Sequence, residues 1–279
     1  MHSQHTILKK ERLADDIFRL KVSAALIASE RKPGQFIILQ LDDDYSERIP
    51  LTIADADLQE GSITLIFQRV GKTTRQLAEK REGDTIAHIL GPLGQPTHIA
   101  RFGAVVCIGG GIGAAPLYPI AQAMQAAGNK LIVILGARTK NLLILEKELA
   151  SIAADLIICT DDGTSGQKAL VTAPLLELCQ KNPRPDLVVA IGPPIMMKFC
   201  AETTRPFAVP TVVSLNTIMV DGTGMCGGCR VSVDNTTKFV CVDGPEFDGH
   251  RVDFDNMIQR LKAYHPQEET ARHQCKIGL

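Results

Sequence analysis

The chain has 279 residues, a formal net charge of −1, 45% hydrophobic and 22% charged residues, which leaves no basic footprint for nucleic acid. No stretch reaches the roughly 18 uninterrupted apolar residues of a membrane-spanning helix. The N-terminal MHSQHTILKKERLADD turns charged where a secretory signal needs an apolar core, so a cytoplasmic protein is expected.

Residues 1–100 read as short strands and turns. ILKKERLADDIFRLKVS, GQFIILQLD and GSITLIFQRV are strand-like, with Pro33-Gly34 and Glu60-Gly61 as punctuation. One helical pattern, TTRQLAEKR at 73–81, interrupts them. An all-β barrel carrying a helix is the natural reading. From Arg101 the pattern alternates. The strands AVVCIG, KLIVILGA, DLIICT and DLVVAIG are each followed by helical runs: AAPLYPIAQAMQAAG, NLLILEKELASI, QKALVTAPLLELCQ and PIMMKFCAETT. Such alternation over 101–215 predicts an α/β domain, a doubly wound parallel sheet with helices on both faces. The third region, 216–279, is rich in Gly, Asp and Cys and shows little periodicity before VDFDNMIQRLKAY. Its loops are too short to build a core alone, so a metal staple is expected there.

The strand AVVCIG runs into Gly109-Gly110-Gly111-Ile112-Gly113-Ala114-Ala115-Pro116 and then a helix. Glycines allow a tight turn and close approach to a pyrophosphate, which the free N–H groups of the helix N-terminus then meet. Pro116 suits a first helical turn. Two more loops, Thr160-Asp161-Asp162-Gly163-Thr164 and Gly192-Pro193-Pro194, follow predicted strands. They therefore open on the same edge of the sheet, where ligands of such folds bind. Asp161 and Asp162 would repel a 2′-phosphate and lean towards NADH. Arg138 argues the other way, and a helix-capping turn is an equal reading of the aspartates.

The protein has eight cysteines. In a reducing compartment they are not a disulfide framework. Asp221, Cys226, Cys229 and Cys241 follow the spacing D-x4-C-x2-C-x11-C. The plant-type [2Fe–2S] pattern is C-x4-C-x2-C with a distant fourth cysteine; here an aspartate takes the first place. Zinc is the rival, held by the three cysteines with His250 or Asp221. Cys107, Cys159, Cys179, Cys200 and Cys275 read as packing residues. In the first domain, Arg48 to Ala54, Gly71-Lys72-Thr73-Thr74 and Gly91-Pro92-Leu93-Gly94 gather an Arg, hydroxyls and a helix start that suit a pyrophosphate.

Taken together, the R-x-P-[LY]-[ST] segment, GGGxGxxP and the GPP loop resemble the ferredoxin–NADP reductase superfamily. The strings MVDGTGMCGGCRVSV and FVCVDGPEFDGHRVDF narrow this. They resemble the electron-transfer subunits of dihydroorotate dehydrogenase and, more closely, the small subunits of NADH-dependent ferredoxin:NADP⁺ oxidoreductases. The resemblance implies FAD in the first domain, NAD(H) in the second and a [2Fe–2S] cluster in the third. It implies that Arg48, Pro50, Leu51 and Thr52 touch the flavin. Gly71, Lys72, Thr73 and Thr74 would hold its phosphates, with Gln68 and Val70 beside them. Gly110 to Gly113, Pro116, Asp161, Asp162, Gly192 and Pro193 would line the NAD site, and Asp221, Cys226, Cys229 and Cys241 would ligate the cluster. The aspartate departs from the dihydroorotate dehydrogenase subunit, which has cysteine there. A larger partner subunit carrying flavin and [4Fe–4S] clusters is implied too, with ferredoxin and NADP(H) reached through it.

Overall fold

The computed structural model describes residues 5–42, 46–267 and 270; Cys275 lies outside them. The first strand-like run divides into β1 (His5–Ala14) and β2 (Ile17–Ser23). The turn falls at Asp15-Asp16, where Asp16 takes φ 59°, a conformation that a short polar side chain tolerates. Next come α1 (Ala25–Glu30), β3 (Phe36–Gln40), β4 (Arg48–Asp57), β5 (Ser62–Gln68), α2 (Lys72–Glu79), β6 (Thr85–Ile86) and β7 (His88–Leu93). The seven strands form a nearly closed sheet in the order β6-β1-β2-β5-β4-β3-β7. Period-2 alternation sends Leu20, Ile37, Leu39, Ile53 and Leu65 into its buried interior. The sequence pattern does not mark α1, whose six residues are too few to display a helical period.

The second domain holds β8 (Ala104–Gly110), α3 (Ala114–Ala126), β9 (Lys130–Ala137), α4 (Glu146–Ile152), β10 (Asp155–Thr160), β11 (Gln167–Lys168), α5 (Thr172–Gln180), β12 (Leu187–Ile191), α6 (Pro194–Thr204) and β13 (Thr211–Ser214). The strands lie in the order β11-β10-β9-β8-β12-β13, and all neighbours are parallel. Two expected helices start late. In NLLILEKELASI the helix begins at Glu146, after a 3₁₀ turn at Lys140–Leu142 and a left-handed Leu145. In QKALVTAPLLELCQ the first two residues form β11, and the helix begins at Thr172. β13 has only four residues and its sequence gave no separate signal.

The last region contains β14 (Arg230–Val233), β15 (Thr236–Phe239), α7 (Val240–Asp243), β16 (Glu246–Asp248) and α8 (Phe254–Leu261). β14 and β15 form a hairpin, while β16 returns to pair antiparallel with β13 at the edge of the large sheet. Two cores tie the regions together. Ile17, Ala54 and Ile66 of the barrel pack with Ala114, Leu117 and Ala121 of α3. Phe36 and Ile38 of β3 share a second core with Met219, Cys229 and Cys241. Among the described residues, no helix is long and apolar enough to cross a membrane.

Candidate functional site

In the parallel sheet, β8 lies between β9 and β12, so the chain leaves β8 to opposite sides at that point. The crevice of a doubly wound fold opens at such a reversal. The glycine loop after β8 and the Gly192-Pro193 loop after β12 meet across it. A Cβ on Gly113 would lie 2.2 Å from the Ile191 carbonyl oxygen and 2.8 Å from Gly192 Cα. A Cβ on Gly110 would lie 2.4 Å from Met196 Sδ and 3.1 Å from Pro193 Cδ. Gly111, with φ +55°, faces open space, so the backbone there is free to receive a ligand. Ile112 lies within the 3₁₀ turn Gly111–Gly113, and Pro116 sits in the first turn of α3.

The third loop serves its own turn. Asp162 Oδ1 accepts from the Thr164 amide at 3.0 Å and from the Thr164 hydroxyl at 2.7 Å. The Thr164 hydroxyl and amide hold the Asp162 carboxyl below the usual carboxylate range. Asp161 is exposed, and its amide bonds to the Ala137 carbonyl at the end of β9.

In the barrel, Ile49 and Leu51 turn inward onto the core. Arg48, Pro50 and Thr52 share the opposite face of β4, which Ala54 continues to the contact with α3. Leu51 therefore offers that face its main chain only. Thr73, 3% exposed, donates its hydroxyl to Glu47, which ties the start of β4 to the first turn of α2. Arg48, the residue after Glu47, donates its Nε to Gln40 on the neighbouring β3. Thr74 Oγ1 accepts from the amides of Val70 and Gly71 at 3.1 and 3.0 Å. Gln68 ends β5, and Val70 is half exposed. Sequence reasoning missed Arg75, whose Nε is buried with no protein partner one residue after this cluster. An unpaired buried donor of this kind suits an anion. Its signal, an Arg in the first turn of α2, was available.

In the cysteine loop the four residues divide into two pairs. Asp221 Oδ2 accepts from the Cys226 amide at 2.6 Å, and the Cys226 thiol also faces that carboxylate. Asp221 Oδ1 accepts from the Thr223 amide at 2.5 Å. These bonds, the Thr223 amide first, hold the Asp221 carboxyl down to about 2. In the second pair, Cys229 Sγ and Cys241 Sγ are 3.2 Å apart and buried. Burial, then the Cys229 thiol, pushes Cys241 up to about 12, and the Gly224 amide partly offsets them. Glycines at 222, 224 and 227 all have positive φ. The Gly228 amide donates to Cys226 Sγ at 3.4 Å.

Among the described residues, no three His, Cys, Asp or Glu side chains converge where a single metal ion would sit. His250 is engaged elsewhere: its Nε2 lies 2.9 Å from Thr204 Oγ1 at the end of α6. The zinc alternative thus loses its histidine. Two pairs suit a centre with two metal atoms, each taking two protein ligands. The bland cysteine readings hold for Cys107, Cys159, Cys179 and Cys200, all buried. Burial raises the Cys107 and Cys200 thiols to about 12, so they are inert. An open depression of about 570 Å³ lies on the outer face of the barrel, lined by Lys9, Arg19, Lys21 and Asp57 among others. It contains none of the residues above, and its Lys21 is paired with Asp57 and Glu60.

A barrel joined to a parallel sheet with an open crevice at its reversal, followed by a loop that pairs Asp221 with Cys226 and Cys229 with Cys241, is the architecture of an NAD-dependent electron-transfer oxidoreductase. Comparisons with known proteins agree. The oxidoreductase NAD-binding domain matches residues 107–202, and the iron–sulfur cluster binding domain of dihydroorotate dehydrogenase B matches residues 216–253. The dihydroorotate dehydrogenase B (NAD⁺) electron transfer subunit homolog of Thermotoga maritima is 48% identical over 263 residues, covering 94% of this chain and 92% of that one. The corresponding electron transfer subunit of Bacillus caldolyticus is 34% identical, covering 87% of this chain and 95% of that one. A solved structure of NADH-dependent reduced ferredoxin–NADP oxidoreductase is 46% identical with a TM-score of 0.91, covering 98% of each chain. The ferredoxin–NADP⁺ reductase of Neisseria gonorrhoeae, at 15% identity and a TM-score of 0.61 over 74% of this chain and 91% of that one, shares the fold. The chain belongs to the family of dihydroorotate dehydrogenase B-type electron transfer subunits. Such a subunit works in a complex with a partner.

Proposed function

We propose that this chain carries electrons between NAD(H) and its partner through FAD and a [2Fe–2S] cluster, as the small subunit of an NADH-dependent ferredoxin:NADP⁺ oxidoreductase. The observation that carries the reading is the division of Asp221–Cys226 and Cys229–Cys241 into two ligand pairs. A binuclear cluster needs two pairs, and a single zinc ion does not. The 46% identical oxidoreductase, studied for flavin-based electron bifurcation, supports the choice within the family.

The chemistry supplied by the bound groups is hydride exchange between nicotinamide and FAD, then one-electron transfer through the cluster. The chain's residues bind and orient. Arg48, Lys72 and the first amides of α2 would meet the FAD pyrophosphate, with Arg75 Nε as a further donor. The outer face of Pro50 and Thr52 would support the ring. Gly110 to Gly113 and Gly192-Pro193 would receive the NAD pyrophosphate. Asp221, Cys226, Cys229 and Cys241 would hold the two irons, with the Gly228 amide directed at the Cys226 sulfur. No side-chain acid or base is needed for hydride exchange. The partner in this reading is a larger subunit with its own flavin and [4Fe–4S] clusters, which reaches ferredoxin and NADP(H).

A second reading within the family is the electron-transfer subunit of a dihydroorotate dehydrogenase, favoured by the name of the 48% identical relative. Asp221, standing where that subunit has cysteine, opposes it. An anaerobic ultraviolet–visible spectrum with iron and zinc analysis, before and after NADH, tests the electron path. Flavin and iron–sulfur bands that both bleach support it. A colourless protein containing zinc after reconstitution overturns it. The mass of the co-purified partner separates the two family readings.

A further inference from the structure

The cluster loop touches the barrel through a glycine. Gly222, directly after Asp221, has φ +77°. A Cβ there would lie 2.6 Å from Ile38 Cγ1 and 2.8 Å from Leu93 Cδ1. Ile38 is on β3 and Leu93 on β7, and both belong to the barrel. Ile38 is 3% exposed, so it has little room to retreat. In the sheet, Ile38 stands opposite Pro50 of β4. Directly paired residues point to the same side of a sheet, so Gly222 packs on the outer face that carries Arg48, Pro50 and Thr52, one strand over from them. The other left-handed glycines of the loop look elsewhere. A Cβ on Gly224 would first meet Val242 at 3.3 Å, and one on Gly227 would meet Phe239 at 3.6 Å. Both of those neighbours are in the cysteine region itself.

We propose that Gly222 is a positioning residue for electron transfer: its missing side chain seats the cluster loop directly on β3 and β7, and so sets the distance between the flavin face of the barrel and the cluster ligands. The contact rests on this chain's own packing; its meaning for transfer rests on the FAD and [2Fe–2S] reading above. Any side chain at 222 must lengthen the contact from 2.6 Å past 3.0 Å, towards the 3.4 Å of ordinary packing. Because Asp221 is the adjacent residue, the displacement falls on a ligand of the cluster. Tunnelling weakens steeply with distance, whereas hydride exchange at the flavin does not involve this loop. The step affected moves one electron from reduced flavin to a ferric iron, with no atom exchanged.

The test compares Gly222→Ala and Gly222→Asn with Gly83→Ala in the reconstituted protein. Gly83 has φ +91° and nothing within 4 Å of its Cβ position, so its substitution reproduces the backbone strain without the contact. Asparagine tolerates the left-handed conformation but keeps the Cβ. Stopped-flow absorbance with rapid-freeze EPR follows flavin reduction by NADH and cluster reduction separately. Iron content, FAD content and the melting temperature of the cofactor-free chain are measured alongside. Both Gly222 variants should reduce flavin at the wild-type rate and the cluster several-fold more slowly. Ile38→Ala combined with Gly222→Ala should recover part of the loss. Cluster reduction in Gly222→Ala that keeps pace with Gly83→Ala overturns the proposal, as does full recovery in Gly222→Asn. If Gly222→Ala does not fold or load, the double variant decides: folding with cofactors shows the contact to be the obstacle, and failure overturns the proposal. Wild-type protein lacking flavin and iron would instead overturn the functional reading, a separate result.

Discussion

The Thr97 hydroxyl donates a 2.6 Å hydrogen bond to the Glu246 carboxylate, joining the segment that follows β7 to β16 across the junction of barrel and sheet. Gly34 lies against the pair, where a Cβ would stand 2.3 Å from Thr97 Oγ1. Next to it, the Gln95 amide donates to the Gly244 carbonyl at 2.6 Å and Gln95 Nε2 to the Val242 carbonyl at 3.0 Å. These bonds and the seat of Gly222 on the barrel bracket the cysteine region from two sides.

Burial pushes the Glu246 carboxyl up to about 7, and the Thr97 hydroxyl only partly opposes it. A raised acid holds its proton in the folded chain after the unfolded chain has lost its own. Stability from this residue is therefore complete below the ordinary glutamate value near 4.5 and falls as pH rises to about 7, where the loss levels off. The full swing is at most about 3 kcal/mol. Glu246→Gln keeps an acceptor for Thr97 and removes the titration. Urea midpoints at pH 5 and pH 8 should separate wild type from Glu246→Gln at the higher pH, with the variant more stable. A difference that does not change with pH would show that the carboxyl ionises normally.

Thr73 is buried, and its hydroxyl reaches Glu47. Thr73→Val keeps the volume and removes the donor, at a cost of about 1 kcal/mol. In a chain of this size, that lowers the melting temperature by about 2 °C. The larger effect should be on FAD, because Arg48 and the α2 N-terminus then lose their common tether. Flavin retention after gel filtration should fall relative to wild type. Unchanged retention would show that the tether does not shape the flavin corner.

Gly113→Ala drives a methyl group against the Ile191 carbonyl oxygen and Gly192, so the loops after β8 and β12 must separate. NADH binding should weaken by at least roughly tenfold, equivalent to about 1.4 kcal/mol, while flavin and iron contents stay at wild-type levels. Isothermal titration with NAD⁺ and the NADH concentration dependence of flavin reduction both report it. Wild-type affinity in a folded variant would place the dinucleotide elsewhere.

The parallel sheet was legible because its strands β8, β9, β10 and β12 are near-continuous apolar runs of five to eight residues, separated by helical patterns. The glycine loops were legible from their place after those strands. The return of β16 to the edge of that sheet was not, since three residues, Glu246–Asp248, carry no period and their partner β13 is distant in sequence. The inward turn of Leu51 follows from strand alternation and was open to the sequence once β4 was placed. The contact of Gly222 with Ile38 and Leu93 was not, because a glycine's neighbours are set by tertiary packing. The cysteine spacing announced a metal site, but the separation into pairs, and the loss of His250 to Thr204, appear only in three dimensions.

The two ligand pairs make different predictions. Cys229 and Cys241 are buried and 3.2 Å apart, so under the proposed ligation Cys229→Ala would leave Cys241 as a lone ligand to its iron. Iron per chain should fall towards zero, while flavin reduction by NADH continues. Asp221 lies in the exposed part of the loop beside Cys226 and is the one oxygen donor of the set. Asp221→Cys supplies a thiolate at the same place and should retain the cluster with altered EPR g-values and a displaced midpoint potential. The comparison separates ligation from loop capping, because the carboxylate also accepts the Thr223 and Cys226 amides. A residue that only capped the loop would, on replacement, lower the melting temperature and leave the potential where it was. An unchanged redox titration in Asp221→Cys would therefore remove Asp221 from the coordination sphere. Full iron content in Cys229→Ala would dissolve the second pair and, with it, the binuclear reading.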